Sequence, residues 1–421
     1  MADRSAWRWI PTLYFVQGIP YVIVMTVSVV MYKTLGVSNA DIALYTGWLY
    51  LPWVLKPFWS PVVDLVGTKR AWILALQLVM GALLALAALS LPMPHYFRVS
   101  LAILWLVAFA SATHDIAADG FYMLGLKQYH QAAYVGVRSG FYRLAMIAGQ
   151  GALVFLAGVL AESTGDVTMA WSIAFLVASA TCLALCAWHR FALPSPAIDR
   201  ALGQGTLMRG FGETFAVFFR RKGIVAIIAF LMLFRFAEAQ ALKLVAPFLL
   251  DARAAGGLAL STADVGVVYG TVGVLALTCG GLLGGLAIAR HGLRRWLWPM
   301  VAAMHVPNLV FVYLAFAQPT SVTLIGAALA LEQLGYGFGF CAFLLYMVMI
   351  SEGPHRTAHY AICTGFMALG MMLPGMASGW IQERLGYADF FVWVCLATVP
   401  SFIVAALVDV DPRFGRKNPA P

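Results

Sequence analysis

Apolar stretches of roughly 20 residues or more, separated by short polar turns, recur along nearly the whole chain. Each is long enough to cross about 30 Å of hydrocarbon as a helix. Twelve spans are predicted, at about 10–32, 41–63, 71–91, 98–122, 136–161 and 169–192, then at about 224–250, 261–289, 295–317, 321–350, 357–383 and 387–409. The alternating strands of roughly 10 residues that build membrane barrels are not written in this pattern. In lipid only helices or closed barrels satisfy their own backbone, so the reading is an all-α membrane protein. The first run is too long for the core of a secretory signal and no small-residue cleavage site follows it, so it is expected to stay as the first helix.

The 421 residues are 62% hydrophobic and only 11% charged, too few polar side chains to cover a soluble globule of this size. A lipid bilayer is therefore an expected partner. The net charge of +9 raises the question of nucleic acid, but no basic patch with interleaved aromatics lies on a soluble face, and no nucleic-acid partner is expected. In a membrane protein such charge sets topology. With both termini and the central linker placed in the cytoplasm, that side collects 19 of the 27 Lys and Arg, while the far side holds only Lys33, Arg98, Arg253 and Arg384. Arg138 is counted with the cytoplasmic loop charges.

The cysteines Cys182, Cys186, Cys279, Cys341, Cys363 and Cys395 sit in apolar runs without the paired spacing of a metal site, and read as small buried hydrophobes. No HExxH, GxSxG or P-loop occurs, and Gly335, Gly337 and Gly339 lie inside span 10 rather than after a strand. No enzyme, metal or cofactor is expected. Without an ATP site, uphill transport must draw on an ion gradient.

Span 2 ends in KPFWSPVVDLVGTKR, residues 56–70, and the skeleton of that stretch returns at an offset of 225 residues. Ser60, Gly67, Lys69 and Arg70 fall opposite Gly285, Gly292, Arg294 and Arg295. The chain therefore reads as two related halves: residues 1–193 as one six-helix bundle, 194–223 as a cytoplasmic linker, and 224–421 as a second six-helix bundle with a short cytoplasmic tail. Residues 207–219 of the linker mix apolar and charged side chains, which suits a short surface helix. Two six-helix halves joined in this way resemble the major facilitator architecture, twelve transmembrane helices in two pseudo-symmetric bundles. The signature of that family after its second helix is a Gly, an Asp, a basic residue, a further Gly and two basic residues. The first copy keeps Asp64, Gly67, Lys69 and Arg70 but has Ser60 and Leu65 at the first Gly and first basic positions. The second keeps Gly285, Arg290, Gly292, Arg294 and Arg295 but has Ala289 at the Asp position. These loops are expected to act as a gating latch of salt bridges, with Lys56 linking Asp64, Lys69 and Arg70 to Asp115, Asp119 and Arg143.

Once loop charges are set aside, the bases Lys56, Arg143, Arg235 and Lys243 and the acids Asp115, Asp119, Glu238 and Glu332 remain within spans. Each costs roughly 2.5–3.5 kcal/mol to insert at a helix centre, so pairing or a pathway is expected rather than exposure to lipid. Asp115 and Asp119 share a face of span 4. With Lys56 and Arg143 at the same depth, they form either a structural salt-bridge cluster or a proton site made of two close carboxylates. In span 7, Arg235 and Glu238 are one turn apart, and Glu332 lies near the middle of span 10. Spans 1, 4, 7 and 10 line the cavity of the architecture this chain resembles, so Glu238 and Glu332 are transport candidates; an Arg235-centred buried network is the alternative. Lys243 either snorkels to the far interface or meets an anionic substrate. In span 1, Gly18 and Pro20 can distort the helix, and Tyr14, Gln17 and Tyr21 share a face that can hydrogen-bond or stack on a substrate. His114, His305 and Asn308 are minor polar candidates. The glycines Gly266, Gly270, Gly280, Gly281, Gly284 and Gly285 of span 8 read as close helix packing.

Several segments resemble the AmpG-type muropeptide permeases: KPFWSPVVD (56–64) with KRAWILALQ (69–77), SATHDIAADG (111–120), YRLAMIAGQG (142–151) and the Gln17-Gly18-Ile19-Pro20 turn. The resemblance implies a bacterial inner-membrane importer of the peptide and acetyl-coenzyme A transporter group, driven by protons. Scaffold, direction and proton coupling would be carried at Lys56, Asp64, Asp115, Asp119, Tyr142 and Arg143. Typical members carry two further C-terminal helices, whereas this chain stops soon after span 12; shorter relatives of the group include importers of siderophores.

The expectation is a proton-coupled, alternating-access importer of a medium-sized polar or anionic solute, a siderophore or a muropeptide, working as a monomer. Its cavity is expected among residues 14–26, 109–119, 230–243 and 331–346. Arg235 and Lys243 would hold an anionic group, aromatics of spans 1 and 10 such as Tyr14, Tyr21 and Tyr336 would contact sugar or ring surface, and a carboxylate among Asp115, Asp119, Glu238 and Glu332 would take the proton. The alternatives are a drug or metabolite exporter on the same fold and a non-transporting membrane receptor or signal transducer. No segment is long enough for the soluble output domain that a receptor should own.

Overall fold

The structure, a computed structural model, describes residues 6–126, 128–195, 199, 215–352 and 356–415. Every regular element among them is helical. Among the described residues, ten helical stretches are long and apolar enough to cross a bilayer. They include α1 (Ile10–Thr34), α3 (Lys69–Ser90), α4 (Tyr96–Gly125), α5 (Gly136–Thr164), α6 (Val167–Ala192), α7 (Ile224–Leu250), α8 (Thr262–His291), α9 (Leu293–Ala317) and α10 (Val322–Ile350). The second span, α2, is in two pieces, Asn39–Trp48 and Leu51–Leu65, each too short to qualify alone. The last stretch holds two spans: the helix Arg356–Leu396 breaks at Gly386, whose φ of 74° and ψ of 171° leave the helical region, and Val399–Leu407 completes the second arm. We call these arms α11 (356–385) and α12 (387–407). Twelve spans result, each close to its predicted bounds.

Local sequence explains where several helices begin. Ser38, Thr68, Asp166, Ser261 and Ser321 each accept, through a side-chain oxygen, the backbone N–H three residues on, satisfying a donor the helix itself leaves free. The doubled loop has a backbone reason as well. Gly67 and Gly292 take φ of +69° and +86°, which glycine adopts without the penalty other residues incur. Three spans widen to π-helix, at Ile23–Val27, Ile147–Leu153 and Gly266–Gly273.

Contacts divide the chain into two units, Met1–Gly36 with Leu55–Met208, and Val37–Val54 with Arg209–Pro421. The first piece of α2 thus packs within the second unit, whereas the sequence reading places all of span 2 in the first bundle. Of the expected linker helix, residues 207–214 lie outside the described residues, and 215–219 is helical.

In the first unit, α1 lies against α5 so closely that a Cβ on Gly18 would come within 2.6 Å of Ala145, and one on Gly149 within 2.2 Å of Val22. Trp9, Leu13, Tyr14, Val63, Ile73, Ala117 and Phe121 fill the adjoining core. A string of buried polar groups ties four helices together. Thr12 bonds His189 (2.9 Å), His189 bonds Gln77 (2.9 Å), and Gln77 bonds His114 (3.1 Å). Buried polar groups need such partners, and His114 is one link of this chain through Nε2, while its Nδ1 has none among the described residues.

In the second unit, Phe230, Phe234, Phe343 and Tyr346 form one aromatic core, and Phe248, Phe311, Tyr387 and Phe391 another. The span 8 glycines are partly explained by packing on α10. A Cβ on Gly280 would sit 2.1 Å from the Leu334 carbonyl oxygen, whereas one on Gly285 would meet nothing within 4 Å. The first piece of α2 seats on α11 in the same manner, Gly379 lying against the Asn39 backbone and Gly47 against Met376. Of the cysteines, Cys182 and Cys363 are buried, but Cys279 is exposed, which corrects the expectation that all six are buried.

Candidate transport site

In the first unit the charged residues of α2, α4 and α5 come together in pairs. Lys56 Nζ lies 3.7 Å from Asp115 Oδ2. Asp119 meets Arg138, at 2.8 Å, and also accepts a hydrogen bond from the Tyr14 hydroxyl at 3.3 Å. The Arg138 guanidinium lies 4.4 Å from the centre of the Tyr14 ring and 5.6 Å from that of Tyr122. This corrects the predicted grouping, because Arg138, counted as a loop charge, takes the place assigned to Arg143. The helix containing Arg138 runs back to Gln128, so the residue stands on a helix rather than in a loop. Arg143 is half-buried and forms no ion pair among the described residues. The Tyr21 and Tyr142 rings are 6.2 Å apart, and the buried Gln17 carbonyl oxygen has no donor among the described residues.

The second unit repeats the arrangement of a guanidinium, a carboxylate and aromatic rings. Helix α7 is interrupted at Phe234 and Arg235, and its second piece begins at Phe236. That break allows Arg235 to grip Glu238 with two nitrogens, at 2.8 and 2.6 Å, and to donate to the Tyr336 hydroxyl at 2.7 Å. Phe340 stacks 4.7 Å from the same guanidinium. A bidentate pair of this kind leaves Arg235 little unspent charge for a ligand.

Two other buried groups have no such balance. Glu332, 6% exposed, accepts a hydrogen bond from the neutral Gln333 amide at 2.9 Å and forms no ion pair among the described residues. Lys243, 2% exposed, donates to the Thr46 hydroxyl at 2.8 Å and likewise has no ion pair among the described residues. Its burial overturns the snorkelling alternative. His305 is buried between Phe234 and Phe402, and neither its ring nitrogens nor the Asn308 amide nitrogen has a partner among the described residues.

The loop residues take separate positions. Lys69 is buried and donates to the Val63 carbonyl at 3.1 Å, and Arg70 donates to the carbonyls of Leu193 and Arg190. The Asp64 side chain lies outside those described. Asp199, from the linker, accepts the backbone N–H groups of Lys69 (2.8 Å) and Arg70 (3.1 Å), an anion at a helix N-terminus. In the second unit, the backbone carbonyl of Phe414 accepts the Leu293 N–H at 3.1 Å. Asp199 and Phe414 each stand seven positions past the end of the sixth helix of their half, Ala192 and Leu407, so the doubling reaches beyond the motif. Arg290, Arg294 and Arg295 are exposed.

Paired charges inside helical bundles, repeated in two units, are the furniture of a membrane transporter, and the family comparison agrees. The family model described as Major Facilitator Superfamily matches residues 12–352. The chain belongs to the Major Facilitator Superfamily. Among its relatives, the anhydromuropeptide permease of Escherichia coli K12 is 27% identical over 419 residues, covering 96% of this chain and 80% of that protein. An uncharacterized protein of Haemophilus influenzae is 27% identical over 396 residues, covering 91% of this chain and 89% of that one. The AmpG-type resemblance noted in the first half therefore extends through the second. Among solved structures, a bacterial homolog of the human lysosomal transporter Spinster aligns with a TM-score of 0.70 at 16% identity, over 96% of both chains. The nucleoside transporter NupG aligns with a TM-score of 0.69 at 17% identity, over 94% of this chain and 98% of that one. At such identities these two similarities speak for the superfamily fold alone. The chain is a multi-pass membrane transporter of that superfamily.

Proposed function

We propose that the protein is a proton-coupled importer of the bacterial inner membrane, with both termini cytoplasmic, and that it carries an anionic sugar-peptide of the anhydromuropeptide class. The observation that carries the coupling is the state of its buried carboxylates. Asp115, Asp119 and Glu238 each have a cation beside them, which favours the ionised form. Among the described residues, Glu332 has only a neutral amide. A buried acid without a counter-charge is the group that gains most from taking a proton, and Glu332 is assigned that role.

The substrate class follows from two supports. The chain resembles the Escherichia coli anhydromuropeptide permease over nearly its whole length, and Lys243 is a buried basic group with no ion pair among the described residues. Arg235, expected to hold the anion, is already engaged by Glu238, so Lys243 becomes the anion anchor. Tyr336, in the same unit as Lys243, supplies ring surface for the sugar. No catalytic role is assigned to any residue.

The test is uptake into proteoliposomes under an inward proton gradient, comparing labelled anhydromuropeptide with a labelled ferric siderophore. Accumulation of the first that collapses when the gradient is dissipated is the expected result. Accumulation of the siderophore alone would replace the substrate class, and gradient-independent equilibration of either would remove the coupling.

A further inference from the structure

The Lys243 ammonium meets the first piece of α2 and the joint that follows it. Its Nζ bonds Thr46 Oγ1 at 2.8 Å and lies 5.1 Å from the centre of the Tyr50 ring. The Thr46 hydroxyl proton is committed to the Ile42 carbonyl at 2.6 Å, which turns an oxygen lone pair toward the ammonium. A hydroxyl and a ring leave most of a buried charge uncompensated, and an anion in low-dielectric surroundings would stabilise it far better. Yet Lys243 is only 2% exposed, so no anion reaches its ammonium in this arrangement, where Thr46 and Tyr50 are its neighbours.

The covering element has the features of a part that lifts. Asn39–Trp48 is separated from Leu51–Leu65 by a break at Leu49 and Tyr50. Its far end is held by hydrogen bonds and close packing: Asn39 donates to Gln382 (2.7 Å) and to the Tyr387 hydroxyl (2.8 Å), the Ala40 N–H donates to Glu383 (2.9 Å), and Gly379 lies against the Asn39 backbone. No ion pair fixes it among the described residues.

We propose that the Lys243 ammonium has two alternative partners, the Thr46 hydroxyl when the first piece of α2 is seated and a carboxylate of the transported solute when that piece has lifted. This rests on the reading of the solute as anionic. Thr46 is then a positioning residue that gives the ammonium a hydrogen-bond acceptor when the solute leaves. Solute binding and seating of residues 39–48 oppose each other, and by linkage each weakens the other equally.

The experiment is hydrogen–deuterium exchange of residues 39–48 in the full-length protein in lipid nanodiscs, without probe and with anhydromuropeptide carrying free or methyl-esterified carboxylates. In the unsubstituted protein, the free-carboxylate form raises exchange and the ester does not. Thr46→Val raises exchange without probe and tightens binding of the free-carboxylate form roughly tenfold, because one charge-assisted hydrogen bond no longer competes; Thr46→Ser restores both. Lys243→Met abolishes the response. A Thr46→Val protein with unchanged exchange and affinity, or a Lys243→Met protein that still responds, overturns the proposal. If neither form binds the unsubstituted protein, the substrate reading falls instead, and basal exchange in Thr46→Val alone then decides whether Thr46 holds the segment through Lys243.

Discussion

Arg138 and Asp119 meet at 2.8 Å beneath the ring of Tyr14, which also donates its hydroxyl to the same carboxylate. Three helices, α1, α4 and α5, are joined at that one point. Both charged side chains are about a third exposed, so the ion pair itself contributes no more than about 1 kcal/mol to stability, and its geometry matters more than its strength. Arg138→Lys keeps the charge but loses the guanidinium that sits over the Tyr14 ring. The expected outcome is a loss of uptake of about tenfold, with melting temperature in detergent little changed; uptake equal to the unsubstituted protein would make the triad mere surface decoration.

The Arg235–Glu238 pair is different because it is buried. Glu238→Gln leaves an uncompensated guanidinium, a loss of about 3–5 kcal/mol, whereas replacing both partners with apolar residues of similar size costs much less. A double-mutant cycle on thermal stability, with Arg235→Met and Glu238→Leu singly and together, measures this. Additive losses would show that the two side chains act independently.

Asp199 docks the start of the linker on the first turn of α3 through two backbone N–H groups. Loss of such a cap costs about 0.5–2 kcal/mol. Asp199→Ala is therefore expected to raise hydrogen exchange at Lys69 and Arg70 and to lower stability by that amount, while Asp199→Asn, which keeps an acceptor, does so less. Equal effects of the two would point to a role for the charge alone.

Much of the fold is legible in the chain because hydrocarbon thickness fixes span length and apolar runs report it directly. Two of the places where the structure does something the runs hide are backbone breaks inside spans. One is the joint at Leu49 and Tyr50 within α2; the other is the break at Phe234 and Arg235 within α7. Neither shortens the span-length run that hydropathy reports. The site is less legible because the pairs are tertiary. Lys56 with Asp115 and Arg235 with Glu238 follow from depth and helical spacing, but Arg138 was counted as a loop charge because hydropathy gives the edge of a span, not the direction of a side chain. Thr46 carried no signal either, since a threonine in an apolar run is ordinary and its partner Lys243 is 197 positions away.

The coupling assignment is tested most directly by Glu332→Gln, a nearly isosteric change that fixes the buried group in its neutral form. Two rates are measured in proteoliposomes with labelled anhydromuropeptide: accumulation driven by an inward proton gradient, and one-for-one exchange of substrate with no gradient. The account predicts that accumulation is lost while exchange persists within a fewfold of the unsubstituted protein. Gradient-driven accumulation that survives in Glu332→Gln contradicts it and moves the proton to another carboxylate.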